Sequence, residues 1–178
     1  MNIQLMVDVE SGVQEAMTAL YDMPKKIKFV IRGAVNDTAK QVKKHNDALT
    51  EQTYTDKGDI QPLKYSGGSV SAMEAVLRDK GPNVLIDHFT NSGGGKEGIT
   101  GVIKTTNGGR TLGKYGNLAF YHNGISVRKT PARFPLEKMH SISSPVQHGN
   151  PTMWEPNEPM YGELFMQNII SRIEGYLG

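Results

Sequence analysis

Five histidines, His45, His88, His122, His140 and His148, are the side chains in this chain best suited to hold a metal or move a proton. A zinc or metalloprotease centre needs ligands at short helical or loop spacings such as H-E-x-x-H, and none of the five is spaced that way. The hydroxyls of "HSISSPVQ", Ser141, Ser143 and Ser144, could serve as nucleophiles only with an elbow to present them. The chain has no Gly-x-Ser-x-Gly, and serines beside a proline commonly satisfy turn backbone instead. "NSGGGKEG" has the look of a phosphate-binding loop, but Glu97 follows Lys96 where Ser or Thr is required, and Thr90 stands at the first glycine position. A carboxylate there repels phosphate, so the stretch reads as a flexible hairpin loop near residues 91–98. The expectation is a chain that is not an enzyme, with no catalytic residue, no metal and no cofactor.

Charge offers a different chemistry. Lys25, Lys28, Arg32, Lys40 and Lys43 recur at helical spacing, with Asn36 filling the gap, and such a stripe can follow a phosphate backbone and release its counterions. No aromatic residues are interleaved with it and no recognised nucleic-acid motif accompanies it, so a solvated or partner-facing surface is the favoured reading. Trp154, the single tryptophan, sits in "PTMWEPNEP" as either a core plug or an interface anchor, with the core reading ahead. The stretch "RFPLEKMHSISSPVQHGN", Arg133 to Asn150, combines prolines, a short apolar run, a Ser-rich turn and Gly-Asn. That composition suits either a loop bearing histidines or a strand and turn that dock onto a neighbour.

The elements that position these residues follow from periodicity. "IQLMVDV" alternates as a strand, and "GVQEAMTALYDM" fits a short helix with Val13, Met17 and Leu20 on one face. In "KKIKFVIRGAVNDTAKQVKKHNDALTEQ", Ile27, Val30, Ile31, Ala34, Val35, Thr38, Ala39, Val42 and Leu49 recur every three or four residues, which predicts one long amphipathic helix. "SVSAMEAVLRD", "GPNVLIDHFTN", "ITGVIKTT" and "NLAFYHNGISVRKT" read as strands, the last turning at "HNG" because Asn and Gly accept positive φ. The final helix is expected to be capped by Asn157, with Pro159 in its first turn and a stripe of Tyr161, Leu164, Phe165, Ile169, Ile173 and Tyr176. Together these predict an α+β fold: a long amphipathic helix packed on an antiparallel sheet, with a short N-terminal strand and helix and a C-terminal helix.

Composition bounds the rest. At 178 residues, residues 1–178 are expected to form a single domain, and a hydrophobic share of 37% with 20 glycines predicts a thin core and long loops. The absence of cysteine removes disulfides and thiol chemistry, and a net charge of +2 is too small to drive nucleic-acid or membrane binding alone. The opening "MNIQLMVDVESG" has acids at Asp8 and Glu10 and no basic n-region, so export and a membrane partner are not expected.

The Arg133–Asn150 stretch followed by an amphipathic helix resembles the end of phage minor tail protein Z, the tail completion family: a Pro-hydrophobic-basic strand, a turn, a Ser-x-Pro step, Gly-Asn and a charged helix. "AVNDTAKQVKK", "TYTDKGDIQPLK" and "AVLRDKGPNVLIDHFTN" are similar, in family order, to its long-helix, connector and strand-turn segments, so the likeness spans about Lys25 to Leu177. The insert-like "NSGGGKEGITG" and the near-neutral charge depart from the family pattern.

The resemblance implies a structural virion protein of a tailed bacteriophage, assembled in the host cytoplasm and located in the neck of the particle. It would complete the head-proximal end of the tail as a ring, in the usual case a hexamer, joining the tail terminator to the head-completion or connector protein. Phe134, Leu136 and Met139 are expected to fix the segment to the sheet, Pro145 and Gly149 to shape an outward loop, and Trp154 to join the partner interface. The alternative is a DNA-binding module that holds the genome end in the neck channel through Lys28, Arg32, Lys40 and Lys43.

Overall fold

A computed structural model describes residues 3–5, 27–56, 61–68 and 74–177. The helix expected after the first strand lies outside the described residues. The chain divides into two compact units: Met1–Asp47 with Pro62–Lys80 and Gly149–Gly178, and Ala48–Gln61 with Gly81–His148.

The first unit is built on helix α1 (Ile27–Thr53), whose residues from Ala48 onward count with the second unit. At 1.5 Å per residue α1 is about 40 Å long. Ala34, Thr38, Val42, Asn46 and Thr50 are all buried and stand four apart, so one row of side chains runs down the buried face, flanked by Val30, Ile31 and Ala39. Strands β1 (Ile3–Leu5), β2 (Lys64–Ser66) and β3 (Val76–Asp79) form an antiparallel sheet in the order β1-β3-β2, with Leu77 opposite both Leu5 and Tyr65. Val42 packs on Leu63 and Leu77, which puts the long helix on an antiparallel sheet as its apolar stripe predicts. The strand expected through Val70, Ala72 and Glu74 is shorter than the sequence pattern: pairing begins at Val76, Glu74 is unpaired, and residues 69–73 lie outside the described residues.

Gly68 shows how α1 holds the sheet connection. Its N–H donates to Asn36 Oδ1 at 2.9 Å and its carbonyl accepts from Arg32 Nε at 3.1 Å. A Cβ on Gly68 would lie 2.1 Å from the carbonyl oxygen of Glu74, so only glycine permits this approach.

The C-terminal helix α4 (Glu158–Leu177) buries Tyr161, Phe165 and Ile169, one turn apart, with Phe165 and Ile169 against Ala34 of α1. Polar contacts fix its register: Asn168 Nδ2 donates to Thr38 Oγ1 at 2.9 Å, and Arg172 Nη2 donates to Asp37 Oδ2 at 2.6 Å. The start of this region differs from expectation. Asn157 does not cap α4; its Nδ2 donates to the Met153 carbonyl at 2.6 Å while its Oδ1 faces His45 Nε2 at 3.3 Å. The working cap is Asn150, whose Oδ1 accepts from the Thr152 N–H at the start of α3 (Pro151–Trp154), with Pro151 in the first turn where its missing N–H costs nothing. A 3₁₀ turn, Glu155–Asn157, carries the chain on into α4.

The second unit is a set of small antiparallel sheets over a core of Ile86, Ile99, Leu112, Ala119 and Ile125, with Ile103 and Met139 packed on it. Strands β4 (Asn83–Leu85), β5 (Thr90–Gly93), β6 (Ile99–Val102), β7 (Arg110–Thr111), β8 (Gly113–Lys114) and β9 (Asn117–Leu118) follow in chain order. Strands β10 (Phe120–Tyr121), β11 (Ile125–Arg128), β12 (Leu136–Lys138) and β13 (His140–Ser143) complete the set. Sheets β5-β6-β7 and β10-β11-β12 are three-stranded, while β8-β9 and β4-β13 are pairs. The "HNG" turn closes β10 onto β11 as expected, with Asn123 at φ +54° and Gly124 at φ +100°. The buried Tyr54 bridges Lys104, and the Thr105 N–H donates to the Thr53 carbonyl at 2.8 Å, which ties the end of α1 to this unit. Among the described residues no helix is long and apolar enough to cross a membrane.

Candidate functional site

The structure separates the residues singled out in the sequence. Lys28 and Lys40 are exposed on α1, but Lys40 Nζ stands 5.9 Å above the Tyr65 ring. Lys43 donates to Asp47 at 2.6 Å, and Arg32 donates to the Gly68 carbonyl. Two of these four cations are therefore spent inside the first unit; Lys25 lies outside the described residues.

The histidines likewise do not converge. His45 meets the Tyr161 ring edge-on at 6.0 Å, His122 and His140 are exposed, and His148 is buried with Nδ1 3.4 Å from Ser144 Oγ. Among the described residues no three His, Asp or Glu side chains are grouped as a metal site requires. Ser144 is only 2% exposed and its hydroxyl donates to the Gln61 carbonyl, an arrangement that satisfies the backbone and presents nothing to a substrate.

The Arg133–Asn150 stretch departs from its expected shape. Leu136 and Met139 do attach it to the second unit: Leu136 pairs with Arg128, and the Met139 N–H donates to the Ile125 carbonyl at 2.9 Å. Phe134 does not; it follows Arg133, precedes a cis bond to Pro135, and is 61% exposed with the Arg133 guanidinium 5.6 Å from its ring. The Ser-rich segment is strand β13 running into helix α2 (Ser144–His148), and Pro145 is fully buried there. It therefore shapes no outward loop, because a first-turn proline can be buried without stranding an N–H. Gly149 is half-buried. Trp154 takes the core role, half-buried against Tyr161 with ring centroids 5.6 Å apart.

Tyr161 itself is 2% exposed and its hydroxyl has no hydrogen-bond partner among the described residues. Burial penalises the phenolate and pushes its pKa up to about 12. The unfolded chain ionises near the ordinary value of 10.0, so this residue's contribution to stability is complete below that pH and is lost as pH rises toward 12. Absorbance titration of the native protein should show one tyrosine with a midpoint near 12. Tyr161→Phe, by removing a stranded hydroxyl, is expected to leave stability unchanged or raise it by about 1 kcal/mol in urea unfolding.

Sequence reasoning missed an exposed apolar surface of the second unit. Tyr115, Leu118 and Tyr121 are 52%, 49% and 57% exposed, all on the short hairpins β8-β9 and β10-β11. The Gly-rich loop lies beside them. It connects β5 to β6 through a 3₁₀ turn, Gly95–Glu97, and a Cβ on Gly94 would lie 3.8 Å from the Tyr121 ring, one on Gly98 3.3 Å from Leu118. Positive φ at Gly93, Gly94, Gly95 and Gly98 explains the glycine run and does so without a phosphate. Leu118 and Tyr121 lie in short strands whose alternation masked them as ordinary strand positions, while Tyr115 lies in the turn between β8 and β9.

Next to this surface the Glu137 carboxylate is shared by three donors: Lys114 Nζ at 2.7 Å, the Tyr115 hydroxyl at 3.0 Å and Lys129 Nζ at 3.2 Å. Lys114 and then Tyr115 and Lys129 hold its pKa down at about 2, while the same carboxylate raises that of Lys114. A lowered acid pKa stabilises above the ordinary value of 4.5 and ceases to as pH falls through 2, so the β8-β9 turn should stay pinned to β12 until strongly acid pH. Carboxyl-detected NMR titration should place Glu137 near 2, and Glu137→Gln should speed amide exchange at residues 113–118 without unfolding the unit.

No family model, curated protein or solved structure matches this chain.

Proposed function

We propose that the chain is a structural virion protein of a tailed bacteriophage, completing the head-proximal end of the tail as a neck ring between the tail terminator and the head-completion or connector protein. The ordered sequence resemblance suggests the role. The observation that carries it structurally is the outward display of Tyr115, Leu118, Tyr121 and Phe134 by the second unit. Large apolar side chains about half or more exposed gain stability when a neighbour covers them. A subunit with such a surface on small sheets suits heterologous packing, in which one face of a copy meets a different face of the next and closure into a ring ends growth.

The alternative, a DNA-binding module, is less well supported. Of its four cations Arg32 and Lys43 already have partners within the fold, and Lys40 lies over Tyr65. Lys28 is left as the one of the four without a contact among the described residues. Gold labelling of the chain on purified particles tests the neck assignment: label at the head-proximal end of the tail agrees with it, and label at the tail tip, or on no particle, opposes it.

A further inference from the structure

We propose that a cleft on the second unit, bounded by Pro82, Asn83, Lys114, Glu137, Lys138, Met139 and His140, binds a carboxylate-bearing peptide segment of a partner protein. The cleft holds about 450 Å³, room for one or two side chains rather than a folded element. Its charges are arranged rather than scattered. Both oxygens of Glu137 are engaged by Lys114, Tyr115 and Lys129, so the only carboxylate in the cleft is already neutralised and serves to orient the lysine ammonium groups. Lys138, His140 and Asn83 are paired through their backbones, but among the described residues no hydrogen bond or ion pair engages their side chains, and Lys138 and His140 stand two apart along one extended stretch. They offer an ammonium, a ring nitrogen and an amide with nothing in the fold to satisfy them, the donor set that a carboxylate accepts.

One feature favours a peptide over nucleic acid: Pro82 and Met139 supply apolar wall for the aliphatic part of an acidic side chain, which a phosphate backbone lacks. The β4-β13 pairing is irregular between His140 and Ser143, in the strand pair that supplies Asn83 and His140 to the cleft. The inference does not depend on the neck assignment, because the free chain suffices to test it.

The probe is N-acetylated, C-amidated hexaglutamate, titrated into the isotope-labelled protein at low salt, with inorganic pyrophosphate and an oligothymidylate as parallel probes. The expected result is saturable shifts at Asn83, Lys138 and His140, with affinity lowered roughly tenfold by Lys138→Glu and lowered again as salt rises. Asn83→Ala with His140→Ala provides a second variant that leaves the Glu137 cluster intact and should weaken binding too. No saturable shift at these residues, or peptide affinity unchanged in both variants, overturns the proposal. Pyrophosphate or oligothymidylate bound at the same residues as tightly as the peptide also overturns it, the site then being one for phosphate.

Discussion

Phe165→Ala is expected to cost the protein about 3–5 kcal/mol, a large share of the stability of a domain this size. Phe165 is 1% exposed and packs with Ile169 of α4 against Ala34 of α1, with Val35, Met166 and Ile173 around them. Truncation leaves a cavity where the two helices meet, and the partners cannot close it because Ala34 is already small. The polar links across the same joint are weak substitutes. Arg172 and Asp37 are more than a third exposed, so their ion pair contributes less than about 1 kcal/mol. Urea unfolding followed by far-ultraviolet circular dichroism should therefore show a large drop in midpoint for Phe165→Ala and a small one for Arg172→Ala. Equal losses would mean that α4 is held by its charges, against the packing described.

Ile125→Ala is the second large effect, expected at about 2–5 kcal/mol and confined at first to the second unit. Ile125 is 1% exposed in the core with Ile86, Ile99, Leu112 and Ala119. It also opposes Tyr121 across the β10-β11 hairpin, and its carbonyl accepts the Met139 N–H. One truncation thus weakens the core, the hairpin that displays Tyr121 and the strand that carries Glu137 and Lys138. Amide exchange should rise across residues 120–128 and 136–140 while α4 keeps its protection. A loss shared equally by α4 would show that the two units unfold as one.

The α+β class, the long helix and the final helix were legible because their apolar residues recur with helical period and their faces are buried as that period demands. Asn46 and Thr50 continue the row Ala34, Thr38, Val42 at the same step and are buried, although of the polar residues in that row only Thr38 was read as part of it. Asn157 was misread as a cap because capping depends on where a side chain points: the Met153 carbonyl captured its amide, while the preceding Pro151–Asn157 region was already helical. Pro145 suggested a turn from residue type alone, yet a proline at the start of a helix can be buried as readily as exposed. The Glu137 cluster was out of reach for a different reason. Lys114, Tyr115, Lys129 and Glu137 come from a hairpin turn and two separate stretches, and no local pattern links side chains that far apart in the chain.

The role in particle assembly is tested most directly by complementation in vitro. Tails assembled without this protein are mixed with filled heads, with and without the purified chain, and joined particles are counted by electron microscopy. The account predicts that joining depends on the added chain, and that a variant with Leu118, Tyr121 and Phe134 all changed to serine, folded by circular dichroism, joins far fewer particles. Equal joining with and without the chain would contradict it.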